Sequence, residues 1–389
     1  MKIVHTGDWH IGKIVNEFSM IEDQRYYLDR LVENLRESKA EALIIAGDIY
    51  DRSVPPAEAV ELLDNVLSTI ILELNIPVLA IAGNHDSAER LSFGNKLLKD
   101  RGLYIEGSFN GEVKKITIKD DDGNVNFYLL PYVDPAQARV IYNNPKIKTH
   151  NDMMKEIILK INENLDESER NILITHGYIG SSYEDKGGLE TSDSERPLSI
   201  GGTDLIDSSL FEVFDYVALG HIHKPQKVGS NKIRYSGSLL KYSVSEWNQK
   251  KSIPMVEIDK NKNLSVDLIE INPLRDLRII RGPLDELINR ENHIDTNLND
   301  YVFAELTDEG EILDAIYKLR AVFPNVMGIK MVNANLSNEN TKTSAGENFR
   351  EKSLDELFDE FYFNLKGKDM DEVRKNEIIK ILEEVGGEQ

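Results

Sequence analysis

Five short apolar runs in this sequence end in side chains able to bind a divalent cation. Ile3-Val4-His5-Thr6-Gly7 leads into Asp8-Trp9-His10, and Ala42 to Gly47 leads into Asp48. Ile81-Ala82-Gly83 gives way to Asn84-His85-Asp86, Ile172 to Thr175 to His176, and Tyr216 to Gly220 to His221-Ile222-His223. Asp8, His10, Asp48, Asn84, His176, His221 and His223 supply oxygen and imidazole donors in a mixture suited to Mn, Fe, Zn or Mg rather than calcium. If they converge, the carboxylate of Asp48 has two oxygens with which to bridge two ions. Two ions about 3.5 to 4 Å apart activate water, moving its pKa from roughly 16 toward about 7, and clamp both oxygens of an in-line phosphoryl displacement. That is phosphoester hydrolysis near neutral pH.

His85 directly follows the candidate ligand Asn84, so its side chain points differently. It is the candidate general acid, and Asp86 is expected to orient it by accepting its second N–H. His5 precedes the site within a strand and reads as core; His150 and His293 are expected in polar loops.

The runs that carry these residues are short, rich in β-branched residues and mostly closed by glycine, which marks buried strands. In open α/β sheets reactive groups collect beyond the carboxyl ends of such strands. Between the first two strands Ile21, Leu28, Leu31, Val32 and Leu35 recur at helical spacing. Pro55-Pro56 opens a second helix whose inner face reads Val60, Leu63, Leu67, Ile70, Ile71 and Leu74. The order βαβαβ predicts a parallel sheet with right-handed crossovers. Residues 115 to 130 form a hairpin around Asp121-Asp122-Gly123-Asn124, and a helix follows near Met153 to Leu165 with Ile157, Ile158 and Ile161 inward. The polar, glycine-rich stretch from Gly177 to Asp204 lies between two ligand-bearing strands, a position that favours a functional loop.

After His223 three strands are expected, Lys232 to Ser236, Pro254 to Asp259 and Leu264 to Ile269. The pattern changes near Pro273. Residues 274 to 335 read β-α-β-α-β as a small separate domain, residues 336 to 352 as a linker and residues 353 to 389 as a helical tail. In the tail Ser353-Leu354-Asp355-Glu356 is a capping box, and Leu354, Leu357, Phe358, Phe361 and Leu365 form an apolar stripe suited to a partner's helices. A second tail helix is expected from Asp371 to Val385.

The chain has 389 residues, too many for one ordinary domain, and no cysteine, which suits a reducing cytoplasm. No secretory leader is apparent, and Glu73, Asn75 and Pro77 interrupt the longest apolar tract, so no membrane span is expected. The formal net charge of −22 opposes nucleic-acid binding by the chain as a whole. Between His221 and Lys251, however, the only carboxylate is Glu246, against six lysines and Arg234. That stretch reads either as a phosphate-attracting border to the site or as a solvated lysine-rich hairpin.

Asp8-x-His10, Gly47-Asp48, Gly83-Asn84-His85-Asp86, His176 and Gly220-His221-x-His223 together resemble the motif series of the calcineurin-like metallophosphoesterases, over about the first 250 residues. Gly47 to Asp51, Ser192 to Leu198 and Tyr235 to Leu239 are similar to the branch of DNA nucleases that work with a long coiled-coil ATPase. The resemblance implies a four-layer α/β/β/α sandwich over residues 1 to 273. One metal would be held by Asp8, His10, Asp48 and His223, the other by Asp48, Asn84, His176 and His221, with His85 assisting. It implies manganese as the activating ion, residues 274 to 335 as a capping domain, tail helices that bind the ATPase, DNA as substrate and a homodimer. Asp51 departs from archaeal and eukaryotic counterparts, which carry histidine there. Two rival readings share the fold: a phosphoesterase for nucleotides or phosphoproteins, and a non-catalytic adaptor. The second has no need of a full ligand set.

Overall fold

The structure, a computed structural model, describes residues 1–181, 188–195, 198, 204–308, 312–332, 358–359, 362 and 370–386. The chain divides into two compact units, Met1–Leu277 and Arg278–Gln389.

In the first unit two six-stranded sheets face one another. One runs, in spatial order, Leu264–Glu270, Ser252–Ile258, Lys2–Thr6, Ala42–Ala46, Val78–Ile81 and Leu103–Glu106. Its last four strands are parallel, as the βαβαβ pattern predicts, and the two later strands add an antiparallel edge. The other sheet runs Gln226–Val228, Ser230–Tyr235, Tyr216–Gly220, Arg170–His176, Gly123–Leu130 and Lys114–Asp120. Its middle four strands are parallel.

Alternation along each strand sends every second side chain between the sheets. Ile3, Ala42, Ile44, Leu79 and Ile81 there meet Phe127, Leu129, Ile172, Ile174 and Ala218 in one buried core. The outer face of the second sheet packs on helix His150–Asn162 through Met153, Met154, Ile157, Ile158 and Ile161. Val4, Leu43, Ile45 and Ala80 on the first sheet are buried too, as are Leu28, Leu31 and Leu35 of helix Ile21–Ser38. The result is the four-layer α/β/β/α sandwich.

The second helix departs from expectation. It spans Ala57–Ser68 and buries Ala59, Leu62, Leu63 and Val66, while Val60 is exposed. A wider turn, Thr69–Glu73, then shifts the phase so that Ile70 is buried and Leu72 is not. Wide turns of this kind change which face continues inward.

The far end of the sandwich is tied by charge. Arg170 donates to both oxygens of Asp120, at 2.8 and 2.5 Å, and to the Ile258 carbonyl at 3.2 Å, spanning the two sheets. The terminal ammonium of Met1 joins Asp120 at 2.9 Å.

The second unit contains a three-stranded sheet, Leu277–Gly282, Tyr301–Leu306 and Val326–Met331, with short helices Leu284–Leu287 and Ala315–Arg320. Val302, Ala304, Leu319, Phe323 and Val326 are among its buried residues. Helix Glu372–Gly386 is described in the tail. The expected capping box at 353–356 and the stripe residues Leu354, Leu357, Phe361 and Leu365 lie outside the described residues, as does the linker 336–352. Among the described residues no helix is long and apolar enough to cross a membrane.

Candidate metal centre

The carboxyl ends of parallel strands from both sheets meet at one rim, and the backbone bends sharply there. Asp8, His10, Asp48 and His221 all have positive φ, at 52°, 46°, 49° and 108°. For residues with a Cβ this is a strained conformation, of the kind that surrounding structure holds at functional sites. The restraint is visible in the hydrogen bonds. Asp8 N–H donates to the Gly47 carbonyl and His10 N–H to the Asp48 carbonyl, at 3.0 and 2.9 Å. Gln24, reaching from the first helix, donates to the Trp9 and His10 carbonyls and accepts from Gly12 N–H.

Three glycines make the convergence possible. A Cβ on Gly47 would stand 2.9 Å from Gly83 Cα and crowd His176, and one on Gly83 would overlap Asp48. A Cβ on Gly220 would overlap the Ala46 carbonyl oxygen and come within 2.8 Å of His176 Nδ1. Side chains are excluded where the two sheets approach to bring the donors together.

Every sequence-predicted ligand reaches this rim. His10 Nε2 lies 3.1 Å from His223 Nε2, and His176 Nε2 lies 3.0 Å from Asn84 Oδ1. Asp48 accepts His85 N–H on Oδ1 at 2.9 Å, which leaves Oδ2 between the two groups, 3.7 Å from His10 Nε2 and 3.5 Å from His176 Nε2. Both oxygens of Asp8 accept from His221 N–H, at 2.9 and 3.0 Å. The His221 ring stands against that of His176, with centroids 5.4 Å apart.

Electrostatics follow from burial. Desolvation pushes the Asp8 carboxyl well above its usual range, partly opposed by His176. Burial would raise Asp48 too, but His176, His10 and His85 outweigh it and hold Asp48 well below the usual range. His176 is the counterpart: burial disfavours its charge, yet Asp48 and Asp8 push it up to about 9. Burial holds His10 and His223 below the ordinary imidazole value and takes His221 down to about 3. Neutral imidazoles with open lone pairs are the form that binds a cation.

Two catalytic expectations fare differently. His85 is buried, with its ring 4.8 Å from that of His10. The expected Asp86–His85 hydrogen bond is not made. His85 Nδ1 donates instead to the Asp51 carbonyl at 2.8 Å, while Asp86 accepts from the amides of Ile49, Tyr50 and Gly83 at 3.1, 2.9 and 3.0 Å. Asp86 therefore stitches two strand-end loops together: the turn after Asn84 directs its carboxylate back at the amides, away from the ring. Burial and the charge of Asp48 push Asp86 up to about 7 against those three donors. Asp51 pairs with Lys13 Nζ at 2.7 Å, with Oδ1 3.7 Å from His10 Nδ1.

His5 is core, bonded to the Tyr216 hydroxyl at 2.9 Å. His150 is not in a loop; it is the buried first residue of its helix, and His293 packs edge-on against Phe323. Three of the seven basic residues between His221 and Lys251 are paired with carboxylates. Lys224 pairs with Glu190, Lys241 with Asp276 and Lys251 with Glu246, while Lys232 donates to the Glu212 carbonyl. Sequence reading also missed Ser194, Glu195 and Glu246, which surround His223. The signals available were the Ser192 to Leu198 motif, read without a site role, and a lone carboxylate within a basic run.

This rim of imidazoles and carboxylates between two sheets is that of a metallophosphoesterase. Residues 1–225 match the family described as calcineurin-like phosphoesterase, and the chain belongs to that family. Residues 273–364 match a second family, described as the type 5 capsule protein repressor C-terminal domain. Over 382 residues, 98% of each chain, it is 33% identical to the SbcD subunit of nuclease SbcCD from Staphylococcus epidermidis (strain ATCC 12228 / FDA PCI 1200), which places it among the SbcD proteins. Two solved structures overlay only loosely. A dimetal phosphatase from Danio rerio gives a TM-score of 0.39 at 12% identity, covering 70% of this chain and 98% of its own. A phosphoesterase from E. coli, Yfce, gives 0.28 at 14%, covering 70% and 100%. At these scores neither bears on the site.

The family implies divalent metals, and the donors fit them. Two atoms each about 2.1 Å from one cation, at 90 to 110°, stand about 3.0 to 3.5 Å apart. The His10–His223, His176–Asn84 and His176–Asp48 separations given above fall within that range. Asp8, His10 and His223 form one group with donor atoms within 4.8 Å of one another, and Asp8, Asp48 and His176 form another. A third group of this kind is His10, Asp51 and His85.

Proposed function

We propose that this chain is a metal-dependent DNA nuclease that hydrolyses phosphodiester bonds with two divalent cations, as a double-strand exonuclease and a single-strand and hairpin endonuclease. Mn²⁺ is the proposed ion and DNA end processing in repair, recombination and replication the proposed role, in the bacterial cytoplasm at the nucleoid. The observation that carries the reading is the position of Asp48 Oδ2 between two sets of imidazole donors. Asp8, His10, Asp48 and His223 would hold one cation; Asp48, Asn84, His176 and His221 would hold the other. When bound, the pair supplies Lewis acidity to a water and to a phosphoryl oxygen.

The protein's own groups do the rest. Asp48 is anchored through Oδ1, so Oδ2 stays in place to be shared. The Asp51 carbonyl takes the Nδ1 proton of His85 as a hydrogen bond, so the imidazolium form of the ring carries its second proton on Nε2 and would hand it to the leaving oxygen as the P–O bond breaks, returning to the neutral ring. The strained backbone and the glycine contacts keep the donors from relaxing apart.

Residues 1 to 273 form the nuclease domain in this proposal, 274 to 335 the cap, 336 to 352 a linker and 353 to 389 the tail. The tail would bind an SbcC-type ATPase. That partner would also provide the basic DNA surface, since the chain carries −22 and three of the seven basic residues in its basic stretch are already paired with carboxylates. A homodimer of this nuclease is supported by an apolar patch at the short helices Ala88–Leu91 and Asn95–Leu98, where Phe93 and Leu97 are 88% and 81% exposed. Burying such a patch against a second copy is favourable.

The test is digestion of an end-labelled duplex by the purified protein in Mn²⁺, beside His85→Ala and a small phosphodiester. Degradation that disappears with chelator, and drops about 10²- to 10⁴-fold in the variant, supports a nuclease with His85 as acid. Robust diester turnover with DNA untouched, even after the ATPase is added, would mean a different phosphoesterase.

A further inference from the structure

Behind His223, between the loop at 192–195 and the segment 236–251, lies a buried charge pair that the proposed chemistry does not use. Glu246 is fully buried, and Lys251 Nζ meets its Oε2 at 2.6 Å. Lys251 also reaches the His223 carbonyl at 2.8 Å, Ser238 Oγ at 2.9 Å and Gln249 Oε1 at 2.9 Å. Removing an acid and a base from water is costly, and an apolar pair of similar volume is often no less stable. The pair is better explained by what it holds.

Ser194 Oγ lies 2.7 Å from His223 Nδ1 and 2.5 Å from Glu246 Oε1, and Oε1 itself is 3.2 Å from the same nitrogen. An ionised carboxylate can only accept. The Ser194 hydroxyl therefore donates to Glu246 and accepts from His223, which must carry its proton on Nδ1. Nε2 is then a bare lone pair, and it faces His10 Nε2 at 3.1 Å, inside the donor cluster. The main chain of His223 is held as well, its N–H by Glu195 Oε1 at 2.8 Å and its carbonyl by Lys251. Other imidazoles are tied less: His176 Nδ1 donates to the Ala46 carbonyl, and His10 Nδ1 has no hydrogen-bond partner among the described residues.

We infer that Glu246, acting through Ser194 and balanced by Lys251, is a positioning residue that fixes the tautomer and direction of His223 and so sets the affinity of the cation on the His10 side. The inference rests on the two-cation reading above. Carboxylates behind metal-binding imidazoles act this way in general.

The test is calorimetric titration of Mn²⁺ into the chelator-stripped full chain, with Mn²⁺ electron paramagnetic resonance and a melting curve for each variant. Glu246→Gln and the doubly neutral Glu246→Gln/Lys251→Met are compared with His223→Ala; the double variant avoids an unpaired buried lysine. The expected result in the folded variants is a loss of about 10- to 100-fold in one binding step, the one that His223→Ala abolishes, with the other unchanged. Both steps at wild-type affinity, or both weakened alike, would overturn the positioning role while leaving the two-cation reading intact. No uptake of Mn²⁺ by the wild-type chain would overturn that reading, and this inference with it.

Discussion

Gly220→Ala strikes a point where the two sheets approach closely. The new methyl would overlap the Ala46 carbonyl oxygen, stand 2.9 Å from its carbon and 2.8 Å from His176 Nδ1. Two of these atoms are backbone of a fully buried strand, and the third belongs to a ring held by Asp48 and Asn84. No flexible tip can yield, so the sheets must part or the His176–Ala46 hydrogen bond of 2.9 Å must break. Overpacking costs about 1–3 kcal/mol, and leaving a buried carbonyl unpaired about 1–3 more. A total of about 2–6 kcal/mol lowers Tm by roughly 10 °C in a unit of this size. Differential scanning calorimetry measures it, with Gly188→Ala as the control because a Cβ there meets nothing within 4 Å. Displacement of His176 also predicts weaker Mn²⁺ binding. A Tm within a degree or two of wild type, with unchanged Mn²⁺ affinity, would refute the close-approach argument.

Other perturbations give distinct outcomes. Asp120→Asn leaves Arg170 and the terminal ammonium without their buried carboxylate and costs about 3 kcal/mol at neutral pH. Because Arg170 holds the Asp120 carboxyl below its ordinary value, this stabilisation is complete above the unfolded pKa of about 3.9 and fades as pH falls further. Melting curves of wild type and variant should therefore converge in acid, and a gap that does not shrink there would contradict the assignment. Leu97→Asp places a charge in the exposed apolar patch; light scattering should show a dimer becoming a monomer with diester turnover intact, whereas an unaltered mass would reject that surface.

The strand ends were legible because each apolar run stops where its donor begins, so position along the chain gave position along the sheet. Gly47, Gly83 and Gly220 were legible only as the ends of strands; that backbones meet there follows from the packing. The face of helix Ala57–Ser68 was only partly legible: Val60 and Leu67 widen its apolar stripe beyond what one face can bury, and only packing selects Ala59, Leu62, Leu63 and Val66. Asp86 misled because adjacency to His85 says nothing of direction once the chain turns back toward the Ile49 and Tyr50 amides. The lysines between His221 and Lys251 read either as a border for phosphate or as a solvated hairpin. Two of their partners, Glu190 and Asp276, lie outside that stretch, so local composition could not reveal that Lys224 and Lys241 were already paired.

The central claim is that Asp48 is shared by two cations, and anomalous diffraction from a crystal soaked in Mn²⁺ tests it most directly. Two peaks about 3.5 to 4 Å apart on either side of Asp48 Oδ2, one among Asp8, His10 and His223 and the other among Asn84, His176 and His221, are predicted. A single peak, or a pair that does not have Asp48 between them, would contradict it.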